Sequence, residues 1–507
     1  MADRDDSAAA GRPPFGSQDV LAMSAATISR VLRETLLAAM LFWAWIPTLV
    51  ANPEVDRYVR AEMALNKIPG LALATVAHGE IEMVRAYGVQ SVESRRAMTA
   101  KTPVELASLS NALTALAVLR AEREGLIERS SRAAEVLPGL TGTSWAGVTL
   151  NHLLQHSSGL RRRHDFLLPC CLSPSDLDMK VAVEHLSNAD LEGRPGDSES
   201  YANSNYVLLA AIIEHTSGIP FADYMRRRVF LPLGMRQASL AETGQGTQAA
   251  AVPHEWQWAR VRISPSRFLG WTGSSLAKAS AADMAAYLDV LLNPKSGDFE
   301  FLHSSGPWWE LLEPGYDLGW SVQENPGWLD EDLILEHTGN IWGGHTAAIV
   351  APRSHSAVAV LGNLGTSRAR TIARAIMRSL GGTKLPVAQR ANRWEIPDTW
   401  AIVLLAIAIV LGGLAGWFGW LTSHQLQSGT REWQPNAWRI GRSAILGALA
   451  ITLVYRYHWG GPPHEAFPTT IQTALPFLVT CVCGVLLASA IRGLTATPVG
   501  MRGDASP

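Results

Sequence analysis

The chain has 507 residues, a formal net charge of −2, 47% apolar and 17% charged residues. Bulk charge gives no reason to expect a nucleic-acid partner, and the apolar excess points to membrane segments joined to a globular part. Residues 1–29 are rich in Ala, Asp, Ser and Gly and read as a disordered tail. Residues 36–50 form an apolar run preceded by Arg30 and Arg33, so 30–51 reads as a signal peptide, which is favoured, or a signal anchor. Residues 71–77 alternate into a strand, His78-Gly79 makes a tight turn, and 81–87 returns as the paired strand. From Leu109 to Glu124 apolar residues such as Leu113, Leu116 and Leu119 recur at helical spacing, which puts Ser108 at a helix N-terminus. That end carries free N–H groups and a partial positive charge. Residues 206–215 predict a buried helix, and 347–350 with 357–361 read as late paired strands.

The last quarter is again apolar. Residues 399–421 and 471–491 contain uncharged runs long enough to span a bilayer, and 443–457 does so if Arg442 and Arg456 reach the interfaces. The loop 422–442 carries Arg431, Arg439 and Arg442, and the tail 492–507 carries Arg492 and Arg502. Both are therefore expected on the cytoplasmic side, with 52–398 on the outer side of a bacterial inner membrane. Of the four cysteines, Cys170-Cys171 and Cys481-x-Cys483 read as packed thiols, not as a disulfide framework or a metal site, and no cofactor is expected.

Several landmarks occur in order: Ile68-Pro69-Gly70-Leu71, Tyr87-Gly88, Ala107-Ser108-Leu109-Ser110, His156-Ser157-Ser158-Gly159-Leu160, Tyr201-Ala202-Asn203, Leu318-Gly319-Trp320 and His337-Thr338-Gly339. In this arrangement 52–398 resembles the serine β-lactamase and D-Ala-D-Ala peptidase superfamily, in its peptidase and esterase branch. The resemblance implies an α+β fold, an antiparallel sheet flanked by helices with a helical subdomain. It also implies Ser108 as nucleophile, Tyr201 as proton carrier, Asn203 as a substrate-binding amide, and His337 opening a third motif on an edge strand. Gly339 in that motif and Asn111 would line the substrate site. The family writes Ser-x-x-Lys, and Asn111 stands where that lysine is expected. A neutral amide cannot take the serine proton, so activity is in question, and His337 or Lys278 are alternative bases. His156 reads as a hydrogen-bonded loop residue. Arg161-Arg162-Arg163-His164 reads as a solvated charge run or, less favoured, as an anchor for an acidic substrate group.

Export segment, hydrolase domain and three helices together resemble membrane-bound peptidases that mature non-ribosomal peptide prodrugs by removing an N-acyl-D-amino-acid cap. The partners expected from this are a small acylated peptide or amide, membrane lipid and an exporter, without nucleic acid. The alternatives are a catalytically impaired, membrane-anchored binding module, and an esterase or transacylase on the same fold.

Overall fold

The computed structural model describes residues 52–140, 144–167, 179–240, 249–257, 260–264, 271–293, 297–304, 306–341, 343–390, 431–433 and 495–498. The longer helices are α1 (Pro53–Asn66), α2 (Ser110–Arg123), α3 (Met179–Ser187), α4 (Asn203–Ser217), α5 (Ala281–Leu292) and α6 (Arg368–Leu380). The strands are β1 (Gly70–Ala77), β2 (Glu80–Gly88), β3 (Val104–Glu105), β4 (Ser239–Leu240), β5 (His254–Gln257), β6 (Arg260–Ile263) and β7 (Ala277–Ala279). They continue as β8 (Gly315–Asp317), β9 (Trp320–Glu324), β10 (Leu333–Ile341), β11 (Gly344–Ala351), β12 (Ser356–Gly362), β13 (Arg431–Trp433) and β14 (Thr495–Pro498).

The main sheet runs β2-β1-β12-β11-β10-β9-β8, and all its pairs are antiparallel. The predicted hairpin and late strand pair are both present. β11 and β12 are buried along their whole length, and β1 along all but its last residue. The reason is that both faces are covered. Leu71, Leu73, Ile349, Val358 and Val360 pack with Val55, Val59, Ile372 and Ile376 of α1 and α6. The alternate residues Ala72, Ala74, Ala348, Ala357 and Ala359 belong to the core on the other face, where α5 packs on β1 and β12. Burying side chains on both faces of a strand contributes about 1.5–3 kcal/mol for each large apolar residue, which the small residues of the second face forgo in exchange for close helix approach.

α1 starts on Asn52, whose Oδ1 accepts from the Val55 N–H at 3.2 Å, with Pro53 in the first turn. A buried ion pair ties it to α6. Arg368 Nη2 donates to Glu62 Oε1 and Oε2 at 2.8 and 2.7 Å, and Arg368 Nε to Oε2 at 3.1 Å. The Gln389 N–H adds a bond to Glu62 Oε1 at 3.0 Å.

Among the described residues no helix is long and apolar enough to cross a membrane. The expected tail and export segment (1–51) and the spans 399–421, 443–457 and 471–491 lie outside the described residues. So do Cys170, Cys171, Cys481 and Cys483. β13 and β14 pair antiparallel with each other.

Removing one partner of a buried pair leaves the other charge uncompensated. Arg368→Ala is therefore expected to lower unfolding stability by about 3–5 kcal/mol in urea titration, and Glu62→Leu combined with Arg368→Met to recover most of the loss.

Candidate active site

β3 ends against β7, where the Leu106 N–H donates to the Ala277 carbonyl at 2.8 Å. The chain then turns sharply. Ala107 adopts φ +50°, a left-handed conformation that costs a non-glycine residue about 1–2 kcal/mol. A single 3-10 turn, Ala107–Leu109, leads into α2 and leaves Ser108 half-buried at the helix entrance. Strain of this kind persists only where the surroundings over-determine it. Thr346 Oγ1 donates to the Leu106 carbonyl at 2.8 Å, and the Ser110 hydroxyl accepts from the Ala277 N–H at 3.1 Å. Gly339 of β10 lies so close that a Cβ there would collide with the Leu106 carbonyl and the Thr346 hydroxyl. Gly319, at φ +81°, similarly admits the backbone of Asn111 and Ala112.

Asn111, the second residue of α2 and three residues after Ser108, is fully buried. Its Nδ2 donates to the Tyr201 hydroxyl at 2.9 Å and to the Tyr316 hydroxyl at 3.1 Å. The Tyr316 hydroxyl lies 3.0 Å from His337 Nε2. With Asn111 donating to it, the Tyr316 hydroxyl can give its own proton to His337 Nε2, the arrangement of a neutral Nδ1–H imidazole. Burial pushes His337 down to about 4, and burial raises Tyr201 to about 12 although hydrogen bonds to Ser108 and Asn111 pull the other way. Tyr316 is raised further, again by burial. The network that reaches Ser108 is thus uncharged at neutral pH. Asn111 Oδ1 and His337 Nδ1 are buried without a hydrogen-bond partner.

His156 packs beneath, with ring centroids 4.3 Å from Tyr201 and 4.4 Å from Tyr316. It is held as the sequence predicts, its Nδ1 accepting from Asn205 Nδ2 at 2.9 Å and from the Ala202 N–H at 3.4 Å. Burial drives its pKa well below the usual histidine value.

Tyr201 and Asn203 stand at the start of α4. The organiser there is Asp165, which the sequence did not single out. Its Oδ2 accepts from the Asn203 N–H and Nδ2 at 3.1 and 2.9 Å, and its Oδ1 from the Ser204 N–H and hydroxyl at 2.8 and 2.7 Å. A carboxylate on the first N–H groups of a helix satisfies donors that have no partner inside the helix. Asn203 Oδ1 is thereby turned toward the Tyr201 hydroxyl, 3.4 Å away.

Two expectations change. β10 is not an edge strand: it pairs with β11 from Leu335 to Ile341. β9, however, reaches only Leu333 to Glu336, so among the described residues the stretch from His337 onward has no strand partner on that side, a margin where an extended substrate could pair. Lys278 does not enter the Asn111 network. It sits on β7 opposite Glu105, with Nζ 3.4 Å from Glu105 Oε1, held by that cross-strand ion pair. Ser108, Asn111, Tyr201, Asn203, His337 and Gly339 are all brought together. Tyr316 joins them unannounced, two residues before the Leu318-Gly319-Trp320 landmark.

A family model described as Beta-lactamase matches residues 55–381. The chain belongs to the beta-lactamase family. Among curated proteins it is similar to Protein flp of Staphylococcus aureus (strain N315), 24% identical over 337 residues, covering 62% of this chain and 64% of that protein. It is also similar to penicillin-binding protein 4* of Bacillus subtilis (strain 168), 26% identical over 297 residues, covering 55% and 64%. The chain thus matches less than two thirds of the length of either relative. A solved structure with the same fold is the octameric penicillin-binding protein homologue from Pyrococcus abyssi, TM-score 0.56 at 23% identity, covering 71% of this chain and 82% of that one.

Tyr316→Phe removes the phenol that Asn111 and His337 share and leaves buried polar groups unpaired. It is expected to cost about 1–3 kcal/mol and to shift the His337 imidazole nitrogen resonances, measured by denaturation and ¹⁵N NMR. Burial also holds His345 at about 4. His337 and His345 both bind protons more readily unfolded, at the ordinary value of 6.5, than folded. Their contribution is therefore complete above pH 6.5 and is lost as the pH falls toward 4, which a series of urea midpoints across that range should show.

Proposed function

We propose that this protein is a membrane-anchored serine hydrolase of the outer face of the inner membrane, which opens an amide through a Ser108 acyl-enzyme and removes an N-acyl-D-amino-acid cap from an exported peptide precursor. The observation that carries the serine hydrolase reading is the hydrogen-bonded set of Tyr201, Asn111, Tyr316 and His337 at the Ser108 helix entrance, beside the unpaired half of β10. Ser108 Oγ attacks the carbonyl, its proton passes to the Tyr201 oxygen, and Tyr201 then protonates the leaving nitrogen. The Ser108 N–H and a β10 N–H stabilise the oxyanion. The pairing of β13 with β14 supports a shared side for the loop and the tail in this topology. Membrane lipid and an exporter are the partners this topology suits.

The proton step sets the speed. To accept from Ser108, Tyr201 must be a phenolate, and with a value of about 12 only about one molecule in 10⁵ is ionised at pH 7. This favours a second reading, a binding module that is acylated slowly and turns over little.

Labelling of the full-length protein with a fluorophosphonate tests both. We expect Ser108-dependent labelling that is lost in Ser108→Ala and whose rate rises about tenfold per pH unit above neutrality as Tyr201 ionises. Asn111→Lys should accelerate it by about 10²–10⁴ at pH 7 and flatten the pH dependence. No labelling of the wild type or of Asn111→Lys would overturn the serine hydrolase reading.

A further inference from the structure

A second cavity, of about 640 Å³, opens at the N-terminal end of β10, between the β1–β2 turn, the β11–β12 turn and the C-terminal end of α6. Its remaining wall is the loop that joins β9 to β10, with Trp328, Leu329, Asp330 and Glu331. A volume of this size suits a small molecule, and such sites are mostly apolar with a few placed polar groups. Leu329, Met377 and Leu380 supply the apolar surface.

The placed polar group is Glu331. Its side chain lines the cavity, the residue is only 8% exposed, and Oε2 is buried with no hydrogen-bond partner. The cations nearby are engaged by other groups. Arg353 Nη1 pairs with Asp332 at 2.7 Å, Arg374 Nε with Glu336 Oε1 at 2.9 Å, and Arg378 Nε donates to the Trp328 carbonyl at 3.1 Å. The guanidiniums of Arg374 and Arg378 also lie 4.9 and 5.6 Å from the centre of the Trp328 ring, which steadies that wall. The Trp328 indole N–H is itself buried without an acceptor, so one short loop carries two unsatisfied polar atoms. Folded proteins leave few such groups, and a buried carboxylate is costly until a cation meets it.

The C-terminal end of α6 adds to the demand for a cation, because the last carbonyls of a helix carry a partial negative charge. A metal ion does not fit: among the described residues no group of three His, Cys, Asp or Glu side chains is placed to hold one. An ammonium needs fewer ligands, and a carbon chain attached to it suits Leu329, Met377 and Leu380.

We infer that this cavity binds a small organic amine, with its ammonium on Glu331 and its apolar body against Leu329, Met377 and Leu380. Glu331 lies six residues before His337, up to about 20 Å along an extended chain, so the site is separate from Ser108 and does not depend on the serine hydrolase reading.

The test uses full-length protein with hexylamine as the probe and 1-hexanol as its uncharged counterpart, followed by calorimetric titration and thermal melting. The expected result is saturable binding of hexylamine that raises Tm, with 1-hexanol at least about tenfold weaker. Glu331→Gln should weaken hexylamine at least about tenfold. Without the amine it should melt at or above the wild type, since it removes a buried charge that has no partner. Ser108→Ala should leave the amine affinity unchanged. Absence of saturable binding, equal affinity for 1-hexanol, or hexylamine affinity retained in Glu331→Gln overturns the inference. So does a Glu331→Gln protein that melts below the wild type, which would make the carboxylate a structural partner, and so does loss of binding in Ser108→Ala, which would move the amine to the active site.

Discussion

The amide of Asn111 stands between two phenols, and its two N–H groups dictate the direction of the hydrogen bonds around Ser108. One goes to Tyr201 at 2.9 Å and the other to Tyr316 at 3.1 Å. Each phenol can then send its own proton outward, Tyr316 to His337 and Tyr201 to the side of Ser108 and Asn203. Burial is the largest influence on each group: it raises both phenols and depresses His337 against hydrogen bonds that pull the other way, so the members of the chain are held in their neutral forms.

The fold supports this network by backbone contacts that tolerate little change. The strained Ala107, the Leu106 carbonyl held by Thr346, and the glycines at 339 and 319 bring β10, β7 and α2 together around the serine. Asp165 does the same for the Tyr201 loop by fastening the first N–H groups of α4. These are precision devices. A displacement of about 1 Å in such a constellation is enough to cost a large part of a catalytic rate.

Much of this was legible in the sequence where local chemistry decides. Gly79 marked the first hairpin, the helical spacing after Leu109 placed Ser108 at a helix entrance, and Ala347 to Val350 with Ala357 to Leu361 read as late paired strands. Tyr316 and Asp165 were not legible: a tyrosine or an aspartate in a loop has no local signature, and their roles arise from contacts with residues 205 and 38 positions away. The place of β10 inside the sheet was missed because strand order is set by long-range pairing, and half of its margin is free only because β9 is short. Lys278 looked available as a base until its cross-strand partner Glu105 came into view.

The central claim is that the chain from Ser108 to His337 is neutral and runs outward from Asn111. The most direct measurement is the ¹⁵N spectrum of the His337 imidazole in the full-length protein, followed with pH. The account predicts a neutral Nδ1–H tautomer, with Nε2 accepting from Tyr316, persisting to well below the ordinary histidine value of 6.5. An imidazolium at neutral pH, or the Nε2–H tautomer, would contradict it.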